Sequence, residues 1–360
     1  MKPVRILVVG LGNMGLSHAR AYQSLAGFEI VGLCSRDIHA RPEIAAEFPG
    51  VALFDDYATA LAGAPADAVS INTWPDTHAA FARAALEAGR HVFIEKPLAQ
   101  TVAEAEALVA LAQGRGLKLV IGYILRVHPS WQKFVEIGRT LGKPLVMRMN
   151  LNQQSSGPQW ATHKKLMETV SPIVDCGVHY LDVMCQTTGA RAVRVHAIGV
   201  RLTPEVAPSM YNYGCLHVVF DDGSVGWYEA GWGPMMSETA FFVKDMIGPN
   251  GCVSIAMDEA KTASSDVDGH TRTSALRVHH ATLGPDGRFA KPDEMLNMDD
   301  EPGHQELCVR EQEMFLDAIR EDRDLSEHVR GAVESLRIAL AADESVRTGK
   351  VVELQAAGAT

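Results

Sequence analysis

The chain has 360 residues, 47% of them hydrophobic and 21% charged, with a formal charge of −11. This composition excludes wholesale disorder, and at about 100–200 residues per domain the length favours two domains. The negative charge disfavours nucleic acid and anionic membranes as partners. The 6 cysteines form no CxxC pair, and no signal segment or membrane-length apolar run stands out, so we expect a soluble, cytoplasmic protein with reduced thiols.

The first third of the chain alternates short apolar runs with longer helical patterns. Apolar runs lie at 4–9, 29–34, 68–71, 91–94 and 118–121, and Ala-rich helical patterns lie at 77–88 and 101–113. This alternation is typical of a parallel sheet covered by helices. The sequence therefore predicts a doubly wound α/β domain of the Rossmann type over residues 1–122.

The rest of the chain changes to strands rich in β-branched and aromatic residues. They are predicted at 145–151, 192–199, 216–220 and 224–232, with a hairpin at Asp221-Asp222-Gly223, and helices return at 306–320 and 329–347. We expect an α+β domain over 123–360, with an open, mainly antiparallel sheet that serves substrate binding and oligomerisation and C-terminal helices that can pack back on the first domain. An exposed sheet face favours a homodimer or homotetramer.

A glycine motif follows the first predicted strand directly, as Gly10-Leu11-Gly12-Asn13-Met14-Gly15. The first glycine makes a tight turn, the second lets the backbone approach a pyrophosphate, and the third lets the helix pack on the sheet. A glycine-rich turn without a ligand is the alternative. The position between a strand and a helix favours a dinucleotide site.

The choice between NAD and NADP rests on the loop after the second strand. Ser35 and Arg36 stand where an acidic residue would bind the adenosine ribose, and a hydroxyl with a guanidinium suits a 2′-phosphate. Alternatively, Arg36 stacks on the adenine while Asp37 reaches the ribose. The sequence predicts NAD or NADP as cofactor and leaves the preference open.

Two further segments carry candidate catalytic side chains. Glu95-Lys96-Pro97 follows a strand end, where Lys96 could polarise a hydroxyl or ketone oxygen; the alternative is a surface lysine beside a helix-starting proline. Asp175 and His179 are four residues apart in a predicted helix, so a carboxylate could tune an imidazole. A capping aspartate with an ordinary histidine is the alternative.

In this order, these features resemble the glucose-fructose oxidoreductase and inositol dehydrogenase family, also called Gfo/Idh/MocA. The resemblance covers nearly the whole chain, with Ser171-Pro172 in place of a frequent Gly-Gly pair and Trp74 in a turn that is usually Thr-Pro-Pro. It implies that Lys96, Asp175 and His179 are the catalytic group and that a cis peptide bond precedes Pro97. The remaining implied contacts are Asn13, Met14, Thr73, Trp74, Pro75, His78, Glu95, Lys96 and Pro97 for the cofactor, and Arg126 and Trp160, with the catalytic group, for the substrate. Core packing is the alternative for Trp160. His163, close to Trp160 in sequence, could hydrogen-bond substrate hydroxyls, and a solvated loop is the alternative.

The resemblance implies an NAD(P)-dependent oxidoreductase that oxidises a hydroxyl of a neutral sugar or polyol of the aldose, inositol or anhydrosugar class. His179 would take the hydroxyl proton, Lys96 would stabilise the developing alkoxide and Asp175 would orient His179. A dinucleotide-binding regulator without turnover would need only the glycine motif. A reductase of a non-sugar carbonyl compound would keep the same three residues. No metal is predicted.

Overall fold

A computed structural model describes residues 2–237, 243–256 and 271–354 of the chain. The chain divides into two compact units, the first spanning Met1–Ile124 and Gln305–Val333, and the second spanning Leu125–His304 and Glu334–Thr360. Within the described ranges, no helix is both long enough and apolar enough to cross a membrane.

The first stretch of the chain alternates strands and helices as the apolar runs predict. Its elements are β1 (Val4–Val9), α1 (Asn13–Ser24), β2 (Phe28–Cys34), α2 (Pro42–Glu47), β3 (Leu53–Phe54), α3 (Tyr57–Gly63), β4 (Ala68–Ile71), α4 (Pro75–Glu87), β5 (His91–Glu95), α5 (Val102–Gly114) and β6 (Leu119–Gly122).

The six strands form one parallel sheet in the order β3-β2-β1-β4-β5-β6. The order reverses between β1 and β4, which is the switch point where doubly wound sheets bind ligands. Apolar side chains of β1, α1 and β5 pack against Phe315 of a late segment that belongs to the same unit. The predicted Rossmann sheet is confirmed.

The rest of the chain contains a second sheet and five further helices in its described part. The elements are α6 (Pro129–Thr140), β7 (Val146–Gln154), α7 (Gly157–Leu166), α8 (Pro172–Thr188), β8 (Ala192–Val200), β9 (Tyr213–Phe220), β10 (Val225–Gly233), β11 (Lys244–Gly248), β12 (Gly251–Ala256), β13 (Ala275–His280), β14 (Glu294–Asn297), α9 (His304–Arg320), α10 (Ser326–Thr348) and β15 (Val352–Glu353).

The second sheet has the strand order β14-β13-β12-β11-β7-β10-β9-β8-β15. Among its described pairings, only β10 with β7 is parallel, so the predicted mainly antiparallel sheet is confirmed, including the β9–β10 hairpin. Helix α8 packs across one face, where Tyr180 stacks on Tyr228 with ring centroids 5.3 Å apart. A Cβ at Gly177 would lie 2.8 Å from the Tyr228 ring, so this close packing requires glycine.

The two tryptophans of β10 face opposite sides of this sheet, as their five-residue spacing predicts. Trp232 is buried on the α8 side, whereas Trp227 lines an open groove of about 690 Å³ on the other side. Five aliphatic side chains on the groove side are exposed: Val146, Ile198, Val200, Val225 and Ile247. This side, hereafter the outer face, is the surface on which the oligomer prediction depends.

Candidate active site

The glycine motif forms the turn between β1 and α1, and its glycines meet three different steric demands. Gly10 has a φ of +82°, and a Cβ there would lie 2.6 Å from the Asn72 carbonyl oxygen. A Cβ at Gly15 would lie 1.8 Å from the Gly10 carbonyl oxygen. Gly12 faces open space, since no atom lies within 4 Å of a Cβ built on it. A ligand can therefore approach the backbone at Gly12.

This open position is also where α1 begins. Gly12 is its N-cap and supplies no side-chain cap, and Gly12 and Asn13 are exposed. The first amides of a helix point outward and favour an anion such as a pyrophosphate. Arg41 fixes the loop from the side by donating from Nη1 to the Leu11 carbonyl oxygen at 2.7 Å. The loop therefore fits a dinucleotide cofactor.

The loop after β2 carries both the Asp37 carboxylate, which would favour NAD, and the Arg36 guanidinium, which would favour NADP. Ser35 donates a hydrogen bond from Oγ to Asp37 Oδ1, and this bond lowers the pKa of the Asp37 carboxyl. Arg36 is exposed beside them. The loop thus presents an ionised carboxylate that suits a ribose hydroxyl and a guanidinium that suits a 2′-phosphate.

His78 joins the two loops that follow β4 and β5. The ring is fully buried, with Nδ1 at 2.7 Å from the Pro97 carbonyl oxygen and Nε2 at 3.0 Å from the Thr73 carbonyl oxygen. Burial lowers the pKa of His78. Trp74, by contrast, is 36% exposed beside Pro75 at the start of α4. Direct cofactor contact by these residues stays a prediction.

Lys96 follows the last residue of β5 and is partly exposed. The Lys96–Pro97 peptide bond is cis, as the resemblance implies. Glu95 is buried and accepts hydrogen bonds at both oxygens, from the Lys96 backbone amide at 3.2 Å and from His18 at 2.8 Å. The carboxylate of Glu95 thus holds the segment that carries the lysine, a role that the sequence does not reveal.

Asp175 and His179 lie on α8 in the second unit. The helix begins at Pro172 after the cap Ser171, whose Oγ accepts from the Val174 amide at 3.1 Å and donates to Asp343 at 2.7 Å. Asp175 lies in the first turn and is buried, whereas His179 is partly exposed one turn later. Ser171-Pro172, a departure from the family pattern, therefore makes a well-capped helix start.

Sequence reasoning missed a polar network beside this helix start. Gln153 Oε1 accepts from Trp232 Nε1 at 2.7 Å and from the Cys176 thiol at 3.6 Å. The Trp232 ring stacks on His163, with centroids 4.5 Å apart and planes 12° apart, and His163 Nδ1 lies 2.9 Å from Ser155 Oγ. His163 is therefore linked to the residue that follows Asp175. Alternation along β7 predicts the face of the sheet on which Gln153 lies, but it does not identify the residues of other strands and helices that Gln153 contacts there.

Lys244 is another buried side chain next to α8 that the sequence did not single out. Its side-chain nitrogen lies 4.5 Å from the centre of the Tyr180 ring and donates to the Asn150 carbonyl oxygen. Burial lowers the pKa of Lys244 well below its usual range. Lys244 therefore lies on the side of the sheet that α8 covers, against Tyr180, which is one helical turn after Cys176.

Two predicted substrate residues make contacts within the second unit. Trp160 is 7% exposed and donates from Nε1 to Glu205 at 3.4 Å, with the Lys164 ammonium 5.5 Å from its ring centre. Arg126 donates from Nε and Nη2 to the two oxygens of Asp182, at 2.8 and 2.5 Å. Core packing is the alternative that the burial of Trp160 favours. Substrate contact by either residue stays a prediction.

The catalytic candidates are divided between the units. Lys96 belongs to the first unit, and Asp175 and His179 belong to the second. Each segment has the local chemistry that the sequence predicts: an amine after a strand end, and a carboxylate and an imidazole four residues apart on one helix.

Comparison with known families tests the resemblance directly. Residues 4–123 match the model of an oxidoreductase family with an NAD-binding Rossmann fold, and residues 133–242 match the model of the GFO/IDH/MocA C-terminal domain. The chain belongs to the Gfo/Idh/MocA family. The predicted NAD-binding fold is confirmed by this match, and the preference between NAD and NADP stays open.

Relatives with named activities come from the same family. The chain is 35% identical over 209 residues to UDP-N-acetylglucosamine 3-dehydrogenase of Acidithiobacillus ferrooxidans, covering 57% of this chain and 60% of that protein. It is 28% identical over 194 residues to inositol 2-dehydrogenase of Paracoccus denitrificans, covering 50% and 53%. These matches span little more than half the length of either relative.

A solved structure extends the similarity to the full length. UDP-N-acetylglucosamine 3-dehydrogenase from Acidithiobacillus ferrooxidans superposes with a TM-score of 0.73 at 26% sequence identity, covering 96% of this chain and 99% of that one. Both sheets of the chain are therefore shared with a family member.

Proposed function

We propose that this chain is an NAD(P)-dependent dehydrogenase that oxidises a secondary or hemiacetal hydroxyl of a neutral sugar or polyol. The observation that carries the proposal is the joint presence of Lys96 after β5 and of Asp175 and His179 on α8, in a chain with both family domains. A regulator without turnover would need only the glycine loop. The relative named for inositol supports the neutral polyol class. The relative named for UDP-N-acetylglucosamine, whose diphosphate is charged, supports only oxidation of a sugar hydroxyl.

Each of the three residues has a separate task in the proposed reaction. The partly exposed His179 takes the proton of the substrate hydroxyl, a role worth about 10²–10⁴-fold in rate. Lys96 stabilises the negative charge that develops on the same oxygen. The buried Asp175 orients His179 and stabilises its charged form. A dinucleotide whose pyrophosphate is held at the glycine loop would supply the nicotinamide ring as hydride acceptor.

The proposed substrate is neutral because the strongest candidate for an anion clamp is already engaged. A guanidinium fork would bind a carboxylate or phosphate in bidentate fashion. The fork of Arg126 instead donates to both oxygens of Asp182. This geometry favours a polyhydroxylated ligand over an acidic or phosphorylated one.

A substrate screen tests the proposal. Aldoses including D-apiose, inositols, anhydrosugars, aldonates and sugar phosphates are incubated with NAD or NADP, and nicotinamide absorbance is followed in both directions. We expect turnover of a neutral sugar or polyol, and we expect His179→Asn to lower it by about 10²–10⁴-fold. Turnover restricted to a non-sugar carbonyl compound would support the reductase alternative. Cofactor binding without turnover of any substrate would support the regulator alternative.

We also propose that the chain works in the cytoplasm as a homo-oligomer through the outer face. Val146, Val225 and Ile247 lie in register on β7, β10 and β11 and are 38–41% exposed. A second copy would remove this apolar surface from water. Light scattering tests the proposal: Val225→Asp should convert the oligomer to a monomer, whereas Val351→Asp, at an exposed site in the last described segment, should not.

A further inference from the structure

A buried polar cluster lies under the segment that carries Lys96. Its members are His18 on α1, Glu95 at the end of β5, and Glu311 and Gln312 on α9, and each is at most 7% exposed. All belong to the first unit. Burying an ionisable group costs several kcal/mol unless hydrogen bonds compensate it. The cluster therefore calls for a physical explanation.

Three hydrogen bonds run in series through this cluster. Gln312 Nε2 donates to His18 Nδ1 at 2.9 Å, which leaves the other ring nitrogen, Nε2, to act as a donor. His18 Nε2 then donates to Glu95 Oε1 at 2.8 Å, and Glu95 Oε2 accepts from the Lys96 backbone amide at 3.2 Å. We refer to these four residues as the Lys96 chain. It connects helix α9 to the backbone of the lysine, more than 200 residues away in sequence.

Neighbouring groups hold the Lys96 chain in this arrangement. The His18 and Phe93 rings pack edge to face, with centroids 4.7 Å apart and planes at 62°. Burial, together with the charge of Glu95, raises the pKa of the Glu311 carboxyl well above its usual range, which favours the protonated form of Glu311 beside the Glu95 carboxylate. Glu95 can then remain the carboxylate that accepts from two donors.

A metal site is the other interpretation of this cluster. One ligand atom each of His18, Cys308 and Glu311 lie within 4.8 Å of one another. A metal would need a lone pair on a ring nitrogen of His18. The Nδ1 lone pair accepts from Gln312, and Nε2 carries the proton donated to Glu95. The hydrogen-bonded arrangement therefore leaves no nitrogen for a metal.

We propose that His18 and Gln312 are positioning residues that act through Glu95 to fix the backbone at Lys96 and so aim its amine. The proposal rests on the proposed function of Lys96. The direction of the lysine side chain is set by the backbone dihedral angles at residues 95 and 96, which the bond from the amide to Glu95 restrains. Misplacing a catalytic group by about 1 Å can cost about 10²-fold in rate.

The kinetic test compares two variants of His18 with a matched control. His18→Leu removes the donor to Glu95, whereas His18→Gln keeps a side-chain N–H near the position of Nε2. The control, Tyr22→Phe, removes another fully buried polar atom one turn later on α1. We expect His18→Leu to lower kcat roughly tenfold or more with little change in substrate KM or cofactor Kd. His18→Gln should regain most of the rate, and Tyr22→Phe should leave kcat unchanged.

A second readout does not depend on activity. Lysines of the full-length protein are reductively methylated with ¹³C-formaldehyde, and the Lys96 signal is identified by its loss in Lys96→Arg. We expect His18→Leu and Gln312→Leu to shift this signal, and Tyr22→Phe to leave it in place. Melting temperatures establish that each variant is folded. If His18→Leu does not fold, His18→Gln takes its place in the labelling experiment.

The two readouts separate failure of this inference from failure of the proposed function. If no substrate is turned over, the proposed function fails, and a Lys96 signal that moves with His18→Leu still supports the Lys96 chain. An unchanged signal and unchanged kcat in folded His18→Leu would overturn the inference. Equal losses of kcat in His18→Leu and Tyr22→Phe would overturn it too, because the effect would then be general to α1.

Discussion

Replacing Arg126 with methionine tests whether its guanidinium holds the fold or recognises a substrate. The side chains of Arg126 and Asp182 are 13% and 2% exposed, and two hydrogen bonds join them. Removing one partner of a buried ion pair costs about 3–5 kcal/mol, because the remaining charge is left uncompensated. Gln186 still donates to Asp182 at 2.8 Å, so the expected cost is about 3 kcal/mol, at the lower end of that range.

Denaturant unfolding monitored by fluorescence measures this cost. Asp182→Asn in the Arg126→Met background should recover part of the loss, because the uncompensated charge is then gone. Arg5→Met is the control: its ion pair with Asp67 is about two-fifths exposed on each side, and solvent-screened pairs of this kind contribute little to stability. Wild-type stability of Arg126→Met, combined with a selective loss of kcat/KM on aldonates or sugar phosphates, would refute this reasoning and assign Arg126 to the substrate.

Four further substitutions test the cofactor loop, the catalytic residues and the buried carboxyl. Ser35→Asp should suppress NADP use and leave or improve NAD use, because a carboxylate repels a 2′-phosphate; an unchanged ratio of kcat/KM for the two cofactors would contradict this. His179→Asn should lower kcat by about 10²–10⁴-fold without changing cofactor affinity, and adding Lys96→Met should cost less than the product of the single effects. Near-normal turnover of His179→Asn would remove it as the base. The pKa of Glu311 is raised in the folded state above its ordinary value of 4.5, so the stability that Glu311 contributes should fall as pH rises above that value. Glu311→Gln should remove this contribution, so the difference in stability between the wild type and the variant should change with pH, and parallel curves in melts at several pH values would count against a raised pKa of Glu311.

Much of the fold could be predicted because its signals are local. Short apolar runs separated by helical patterns predict parallel strands, and the Asp221-Asp222-Gly223 turn predicts the β9–β10 hairpin that the structure confirms. The parallel pairing of β10 with β7 was not predicted, because alternation within a strand does not identify its neighbours. The same limit hid the contact of Gln153 with Trp232 across those two strands.

The candidate catalytic residues could also be predicted from local sequence signals. Lys96 directly follows a strand, and Asp175 lies in the first turn of a helix, so their positions at element ends can be deduced from neighbouring residues. The groups that support them could not be found this way. Ser171 at the start of α8 donates to Asp343, 172 residues further along the chain, and Gln312 reaches His18 across 294 residues.

Variants of the supporting residues are more informative about the role of Lys96 than variants of Lys96 itself. Lys96→Met removes an amine, and a loss of activity would follow whether that amine stabilises an alkoxide, binds the cofactor or only keeps the loop charged. His18→Leu leaves the amine in place and changes one buried hydrogen bond to Glu95. A fall in kcat with unchanged KM and cofactor affinity would then mean that the reaction depends on where the amine points. Only a group that acts on the reacting atoms is expected to be that sensitive to direction.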